Sequence, residues 1–219
     1  MARKDLPAPR ISSICLPDLF PGNPEFLRAH GQYDGESYAD ADLAGRLLDG
    51  ISFSECELIG TQAHGTSLRN ARLLDTRVER LNAPVLTAPG LVLRDVSIEA
   101  SRIGSAEAFS AEWNAVSITG SKLDFLNLRG AVLRDVSFSD CVIGELDLGG
   151  AKLTRASFTN TRIDSLQLDG ATLEHVDLRG ASLSGISGIG SLRGATLSSL
   201  QLAEFASTLA EHLGISIRD

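Results

Sequence analysis

Every fifth residue of this chain is apolar over most of its length. The row runs from Leu43 to Leu183 and holds 29 consecutive apolar positions, although apolar residues make up only 43% of the chain. A spacing of five matches neither the 3.6-residue period of a helix nor the two-residue period of a strand. The apolar residues must therefore be gathered by a larger winding, and the sequence predicts a repeat structure.

A second period of twenty residues describes the winding. Residues 126–185 align as three sets of four blocks: LNLRG AVLRD VSFSD CVIGE, then LDLGG AKLTR ASFTN TRIDS, then LQLDG ATLEH VDLRG ASLSG. The central, third residue of each block belongs to the apolar row. The residue two positions before it also keeps its character from set to set. Four unlike blocks that return every twenty residues are expected of a square coil in which each side stacks on the one below.

Several blocks resemble the unit A-(D/N)-L-x-x of the bacterial pentapeptide-repeat proteins, namely AVLRD, AKLTR, ATLEH, VDLRG and ASLSG. The resemblance implies an all-β solenoid, a right-handed quadrilateral β-helix whose central Leu or Phe and second-preceding residue point inward. At one stacked strand per coil, the repeat predicts about seven coils. Because inward side chains fill such a coil, we expect no ligand cavity inside it.

Residues 1–40 are predicted to form an N-terminal arm or cap, since they carry no five-residue repeat and contain five of the seven prolines. Proline removes ladder donors, so the arm should be irregular or extended, with one short helical turn near residues 24–30. A loose terminus is one interpretation. Apolar residues such as Ile11, Ile14 and Phe26 favour another, a segment packed over the open end or flank of the first coil.

The β-helix itself is predicted over residues 41–197, with a register slip near residues 186–192 where the five-residue phase shifts by one. Arg46 at an inward position indicates an incomplete first block, so regular winding is expected from about residues 48–51. Within residues 81–92 the central residues shrink to Ala83 and Ala88. For this segment a thinner, distorted coil is predicted in preference to a binding loop. It is not predicted to be a domain boundary.

Residues 198–219 are predicted to form a capping α-helix and a short strand. Ser198 and Gln201 have the spacing of a capping box, and Gly214 stands where a helix over 199–213 would end. The apolar residues that follow exceed what one coil end can cover, so a symmetric homodimer through the C-terminus is expected. The candidate dimer interface comprises Phe205, Leu209, Leu213, Ile215 and Ile217.

The sequence predicts no enzyme, no cofactor and no metal site. The four histidines lie in the arm, in two well-separated coils and in the terminal helix, so neither a metal cluster nor a Ser-His-Asp set emerges. No apolar segment has the length of a membrane span or the pattern of a signal peptide, so a soluble, cytoplasmic protein is expected. The formal charge of -8 argues against direct nucleic-acid binding.

Two functions remain open. The stretch GATLSSLQ…LGISI resembles the C-terminal end of the gyrase-acting, quinolone-resistance members of the family, although this chain has about one extra helical turn before Gly214. That resemblance implies a DNA mimic that modulates DNA gyrase or topoisomerase IV. The alternative is a structural scaffold or interaction module for another protein, which the interspersed arginines favour. The candidate partner-binding acidic surface is Asp164, Asp169, Glu174 and Asp177.

Overall fold

The computed structural model describes residues 6–16, 18–216 and 218, and its strands stack in parallel at an offset of twenty residues. Val92 pairs with Glu112, Glu112 with Val132, and Val132 with Lys152. The winding makes about nine turns and ends in a short helical segment. The predicted β-solenoid with a C-terminal helical cap is therefore confirmed, and it is longer than the seven coils predicted.

The four sides of each coil are numbered here by their five-residue blocks. Side 1 holds residues 31–35 and each block twenty residues later; sides 2, 3 and 4 begin with residues 36–40, 41–45 and 46–50. In the described residues, sides 1 and 2 carry the strands Phe20–Pro21, Gln32–Asp34, Glu36–Ala39, Ser52–Ser54, Glu57–Ile59, Arg72–Glu79, Val92–Glu99, Glu112–Thr119, Val132–Ser139, Lys152–Thr159, Thr172–Asp177 and Ala195–Thr196. Sides 3 and 4 carry Thr66–Ser67, Asn82–Thr87, Arg102–Glu107, Lys122–Asn127, Val142–Asp147, Thr161–Gln167, Ala181–Leu183 and Ile186–Ser187.

Most corners lie at the fifth residue of a block, where the backbone enters the left-handed region. Gly130 has φ of 65°, and Asp135 follows with φ of 55°. The corner between sides 3 and 4 differs beyond the first coils, because its fifth residues, such as Ser105, Phe125 and Glu145, do not have positive φ. There a Cβ on Gly104 would lie 2.3 Å from the Pro84 carbonyl oxygen, so the close approach of successive coils requires glycine.

The core is the column of side chains inside the coil, and the predicted inward rows fill it. Leu123, Leu128 and Leu133 are at most 2% exposed. The rings of Phe138 and Phe158 stack one coil apart, with centroids 5.1 Å from each other. Each coil therefore buries its apolar face only against its neighbours, as in other repeat proteins.

Regular winding begins before the boundary predicted at residue 40. Gln32–Asp34 pairs with Ser52–Ser54, and Glu36–Ala39 pairs with Glu57–Ile59, both at the usual offset. These pairings place Tyr33 and Tyr38 at central positions, and Tyr38 is 1% exposed. Tyrosine continues the inward row there, and its hydroxyl reaches the rim to donate to Glu36 at 2.5 Å.

The open end of the first coil is covered by the segment before it. Residues Pro24–Phe26 form a 3-10 helix, and the following Leu27 is 1% exposed. The guanidinium of Arg46 donates to the carbonyl oxygens of Pro24 and Leu27. These two hydrogen bonds tie the cap to the coil. They explain why an arginine occupies this inward position.

Residues 6–16 lie along the flank of the middle coils. The Arg10 N–H donates to the Asp135 carboxylate at 2.9 Å, whereas Phe20–Pro21 pairs in the first coil. About five coils at ~4.8 Å each separate these points, a length that ten extended residues at ~3.3 Å each can span. Ile11 and Ile14 are half-buried. The arm thus packs on a flank, as one of the two interpretations predicted, but far beyond the first coil.

The register changes near the C-terminal end. Leu166 pairs with Ile186 at the usual offset, but Val176 pairs with Ala195, nineteen residues later. The lost residue falls in the stretch 186–192, where the five-residue phase shifts, and a 3-10 helix over Ile189–Ser191 occupies it.

Two short helices, Ser199–Glu204 and Ala206–His212, replace the single helix predicted over 199–213. Phe205 separates them with φ of -92° and ψ of 4°, outside the helical region, and its side chain is buried. Residues 213–216 form no strand, and Ile217 of the predicted strand lies outside the described residues.

The segment 81–92 is not thinner than its neighbours, contrary to expectation. Asn82 and Ala83 pair with Arg102 and Ile103 in full register. The ladder of backbone hydrogen bonds holds the coil at its usual width, so the volume lost to alanine appears inside. An apolar void of about 80 Å³ lies there, so the inward side chains do not fill the coil completely.

Candidate protein-binding surface

The outward positions of the coil are the second, fourth and fifth residues of each block. On side 2, for example, Ser117 and Thr119 face outward while Val116 and Ile118 are buried. Any partner of the rod therefore meets these three columns on each side, and their charges decide what it can bind.

The four predicted acidic residues surround the last coils without sharing a side. Asp164 lies on side 3, Asp169 on side 4, Glu174 on side 1 and Asp177 on side 2. Glu174 and Asp177 lie on one strand, Thr172–Asp177, and the strand of Asp164 belongs to the other sheet. The sequence predicted that these four residues lie close together along the rod. In a square coil, however, the outward side chains of neighbouring blocks point in different directions.

Two of these four carboxylates are paired with arginine. Asp164 lies 3.1 Å from the Arg162 guanidinium, and Asp177 lies 2.7 Å from that of Arg179. The hydrogen bond from Arg179 holds the pKa of Asp177 below its ordinary value. These pairs reduce the negative potential that the last coils present.

The other two carboxylates are less compensated. Asp169 accepts a hydrogen bond from the Ser187 hydroxyl at 3.1 Å. Glu174 lies 3.9 Å from the His175 imidazole, which bears charge only if protonated. Within the described chain neither forms an ion pair with arginine or lysine. Asp169 and Glu174 thus keep most of their charge available to a partner.

The first coils hold the strongest concentration of negative charge. Residues 31–60 contain seven carboxylates against one arginine, a balance of -6, whereas residues 161–180 contain four carboxylates against two arginines. We call the four exposed carboxylates of the first group the acidic end: Asp34, Asp40, Asp42 and Glu55. The acidic end was not among the predicted site residues, although the sum of charges in each coil indicates it.

The remaining carboxylates of the first coils are already engaged. Glu36 accepts from Tyr38, Asp49 from the Ser67 hydroxyl, and Glu57 lies 3.0 Å from the Arg77 guanidinium. The acidic end therefore depends on the four exposed members.

In the middle of the rod, the corner between sides 1 and 2 lies under the arm. Asp135 is 5% exposed at this outward position, and Arg155 binds both of its carboxylate oxygens at 2.6 Å. That ion pair, together with the Arg10 N–H, holds the pKa of Asp135 below its ordinary value against the effect of burial. The neighbouring carboxyl of Asp95 has a raised pKa, because it is partly buried and lies near Asp75.

The C-terminal helices divide the predicted dimer residues. Phe205 is 7% exposed and packs inward, and Leu209 is half-buried, whereas Leu213 and Ile215 are 71% and 55% exposed. Ile217 lies outside the described residues. Leu200 and Leu202 are also exposed, at 69% and 53%. The exposed apolar set of this end is therefore Leu200, Leu202, Leu213 and Ile215.

Two features are absent from the described residues. No group of three or more His, Cys, Asp or Glu side chains there is arranged to hold a metal ion. No helix in the same part of the chain is long and apolar enough to cross a membrane.

The family comparison agrees with this geometry. The family model for pentapeptide repeats matches eight copies, over residues 39–73 and 144–185. The chain therefore carries pentapeptide repeats, and the resemblance predicted from its five-residue blocks is confirmed. No curated protein sequence matches the chain.

Solved structures of two other proteins are similar to this one. A trypsin-treated variant of QnrB1, a plasmid-mediated fluoroquinolone resistance protein, is 17% identical, with a TM-score of 0.40 over 87% of this chain and 91% of that one. HetL, a pentapeptide repeat protein involved in heterocyst differentiation regulation from the cyanobacterium Nostoc sp. strain PCC 7120, is 18% identical, with a TM-score of 0.31 over 78% of this chain and 91% of that one. At these values the likenesses decide no question of function.

Proposed function

We propose that this chain is a non-enzymatic protein-binding solenoid that occupies the DNA-binding saddle of a type II topoisomerase, DNA gyrase or topoisomerase IV, in place of DNA. The observation that carries the proposal is the acidic end: Asp34, Asp40, Asp42 and Glu55 are exposed on a backbone fixed by parallel ladders. Carboxylates held by a rigid backbone on three sides of the first coils present a negative surface, and a basic saddle attracts such a surface as it attracts the phosphates of a duplex.

Charge then governs the strength of binding. Exposed charges are screened over a Debye length of about 8 Å at physiological ionic strength, so affinity should fall steeply as salt rises. DNA should compete for the same surface. Asp169 and Glu174 form a second acidic group on the last coils, whereas the arginine partners of Asp164 and Asp177 limit what those two contribute.

The proposal includes a homodimer through the C-terminal end. Leu200, Leu202, Leu213 and Ile215 are all more than half exposed at that end. A solenoid end that leaves four large apolar side chains in water favours association with a second copy. The rod would then be doubled about a two-fold axis, with an acidic end at each extremity and Asp169 and Glu174 nearer the axis.

A supercoiling assay with purified gyrase, with and without a fluoroquinolone, tests the topoisomerase proposal. We expect the chain to inhibit supercoiling or to protect the enzyme from the drug. The variant with Asp34→Asn, Asp40→Asn, Asp42→Asn and Glu55→Gln should lose most of the effect. The matched variant with Asp164→Asn and Asp177→Asn, whose carboxylates are already paired with arginine, should lose little.

Two outcomes would contradict the proposal. If a large molar excess of the chain neither inhibits nor protects gyrase, and gyrase is not retained by the immobilised chain, the interaction module for another protein becomes the better explanation. The arginine pairs of the last coils favour that second function, since mixed charges suit a partner more selective than a DNA-binding saddle. Equal activity of both variants would show that the acidic end is not the binding surface.

Light scattering tests the dimer separately. The full chain at tens of micromolar should have twice the mass of the variant with Leu213→Ser and Ile215→Ser. If the full chain is a monomer, the dimer is refuted. The topoisomerase proposal is then still decided by the supercoiling assay.

A further inference from the structure

The arm over the middle coils is attached by far fewer hydrogen bonds than the strands beneath it. Among the described residues 6–16, one hydrogen bond reaches the coils, the one that the Arg10 N–H donates to Asp135 at 2.9 Å. This segment forms no strand, and pairing with the coils begins at Phe20–Pro21. Half-buried apolar side chains supply the rest of the attachment. A segment with few hydrogen bonds and few buried apolar contacts opens at a low cost in free energy.

The arm covers a row of outward residues at the corner between sides 1 and 2. The fifth residues of side 1 stack in this row, and in successive coils they are Glu55, Asp75, Asp95, Ala115 and Asp135. Ala115 and Asp135 are 8% and 5% exposed, whereas Ala100, at the next corner of the coil, is exposed. Because Arg10 contacts Asp135, the arm is the segment that covers this part of the row.

The row continues the acidic end along the rod. Glu55 belongs to the acidic end, and Asp75 and Asp95 follow it in the next two coils, at ~4.8 Å per coil. Partial burial and the nearby Asp75 raise the pKa of Asp95, and the neighbouring Arg94 offsets this only in part. Like charges favour a cationic ligand laid along them. The arm has the matching charge, since residues 1–16 contain three basic residues and one acidic residue.

We propose that the arm is an autoinhibitory strap: it lies on the carboxylate row in the manner of a basic partner, and the partner displaces it in order to bind along the row. The inference rests on the proposed function for the basic character of that partner. Release of the arm removes its positive charge and extends the exposed acidic surface from Glu55 through Asp95. The coils do not need the arm for their form, because their ladders join their own strands.

Cys15 allows the arm to be observed in the full chain. Its thiol is exposed on the arm, whereas Cys56 and Cys141 are buried, so a nitroxide reagent should label Cys15 selectively. Without ligand we expect the broad electron paramagnetic resonance spectrum of a restricted label. Decalysine, the basic probe, should convert this spectrum into that of a mobile label along a saturable curve. Because the attraction is electrostatic, the conversion should weaken as salt rises.

A variant with a released arm measures how strongly the strap competes. Ile11→Ser with Ile14→Ser removes two half-buried apolar contacts, and its Cys15 label should be mobile without decalysine. If the arm is displaced in ~10% of natural molecules, the variant should bind decalysine about tenfold more tightly, because apparent affinity scales with the competent fraction. The matched control is Ser12→Ala with Ser13→Ala, at exposed positions of the arm, and it should bind like the natural chain.

A second pair of variants locates the probe on the rod. In the released variant, Asp75→Asn with Asp95→Asn should weaken decalysine binding several-fold. The matched pair Asp124→Asn with Asp140→Asn, which lies on other sides of the coil, should leave the binding unchanged.

Three results would overturn the strap: a label that is mobile in the natural chain without ligand, decalysine binding that leaves the label restricted, or equal affinities of the released and control variants. The first two need no substitution, so they decide the question even if a variant does not fold. Displacement of the arm by decalysine together with no effect on gyrase would refute the topoisomerase proposal alone. Inhibition of gyrase by a chain whose label stays restricted would refute the strap alone.

Discussion

Replacing Gln201 by leucine removes the hydrogen bonds that fasten the C-terminal helix to the last coil. Gln201 is 5% exposed, and its Nε2 donates to the carbonyl oxygens of Leu178 and Ala181 at 2.7 and 2.8 Å. Its Oε1 accepts from the Ser198 N–H at 2.8 Å, which completes the capping box. Leucine has a similar volume and offers none of these atoms.

The magnitude follows from the groups left behind. Leu178 O still accepts from the Ala181 N–H, so Ala181 O and Ser198 N–H are the groups that lose a partner. Each unsatisfied buried group costs roughly 1–3 kcal/mol. The extra apolar burial of leucine returns about 1 kcal/mol. We expect a net loss of about 1–5 kcal/mol, or roughly 2–20 °C in the thermal midpoint for a chain of this size.

Circular dichroism during heating and hydrogen exchange together test this expectation. Exchange should accelerate first between Ala181 and Phe205, because a solenoid loosens from an end whose cap is weakened. The control is Gln62→Leu, which removes two exposed hydrogen bonds, one to the Gly60 carbonyl and one from the Asn82 side chain, and should change stability by less than about 0.5 kcal/mol. Equal midpoints for the two variants, with unchanged protection in the last coil, would refute the role assigned to Gln201.

Three further predictions concern the core and one ion pair. Leu148→Asp places an unpaired charge in the apolar column and should abolish the cooperative melt, whereas Asp147→Asn, one residue away, should change the free energy of unfolding by less than about 1 kcal/mol in urea titrations. Phe138→Ala breaks the stacked phenylalanine pair and should cost about 3–5 kcal/mol in the same titrations. Arg155 holds the folded-state pKa of Asp135 low, so this carboxylate contributes stability that is complete above the ordinary Asp pKa and is lost as pH falls through the lowered value. Asp135→Asn should therefore flatten the acid limb of a stability–pH curve and lower stability near neutral pH; an unchanged acid limb would contradict the assignment.

The solenoid could be predicted from the sequence because its fold repeats one local rule. An inward residue every five positions and four unlike blocks every twenty require stacked square coils, and that rule held from Leu43 to Leu183. The start of the winding was predicted less well, because the inward residues there change in type while the coil geometry stays the same. Tyr33 and Tyr38 continue the inward row before Leu43, whereas Arg46 at an inward position predicted a later start of regular winding.

The binding surface was harder to predict, because it depends on the side of the coil to which each outward side chain points. Asp164 and Asp177 are close in sequence to Asp169 and Glu174, but all four point to different sides, and two of them meet arginines. The predicted dimer residues were also hard to assign, because the sequence does not show which of them are exposed. Phe205 is buried and interrupts the helix, and Leu213 and Ile215 beyond it are exposed.

By itself, the sequence determined the solenoid, its inward residues, the slip of register and the capping box of Ser198 with Gln201, since each is a local or strictly periodic pattern. Only the tertiary structure decided the course of the arm over the middle coils, because the contact between Arg10 and Asp135 joins residues that no period relates. It also decided the cavity beside Trp113. Whether small residues make a coil narrower or hollow depends on the hydrogen-bonded neighbours above and below, and these hold the coil at full width.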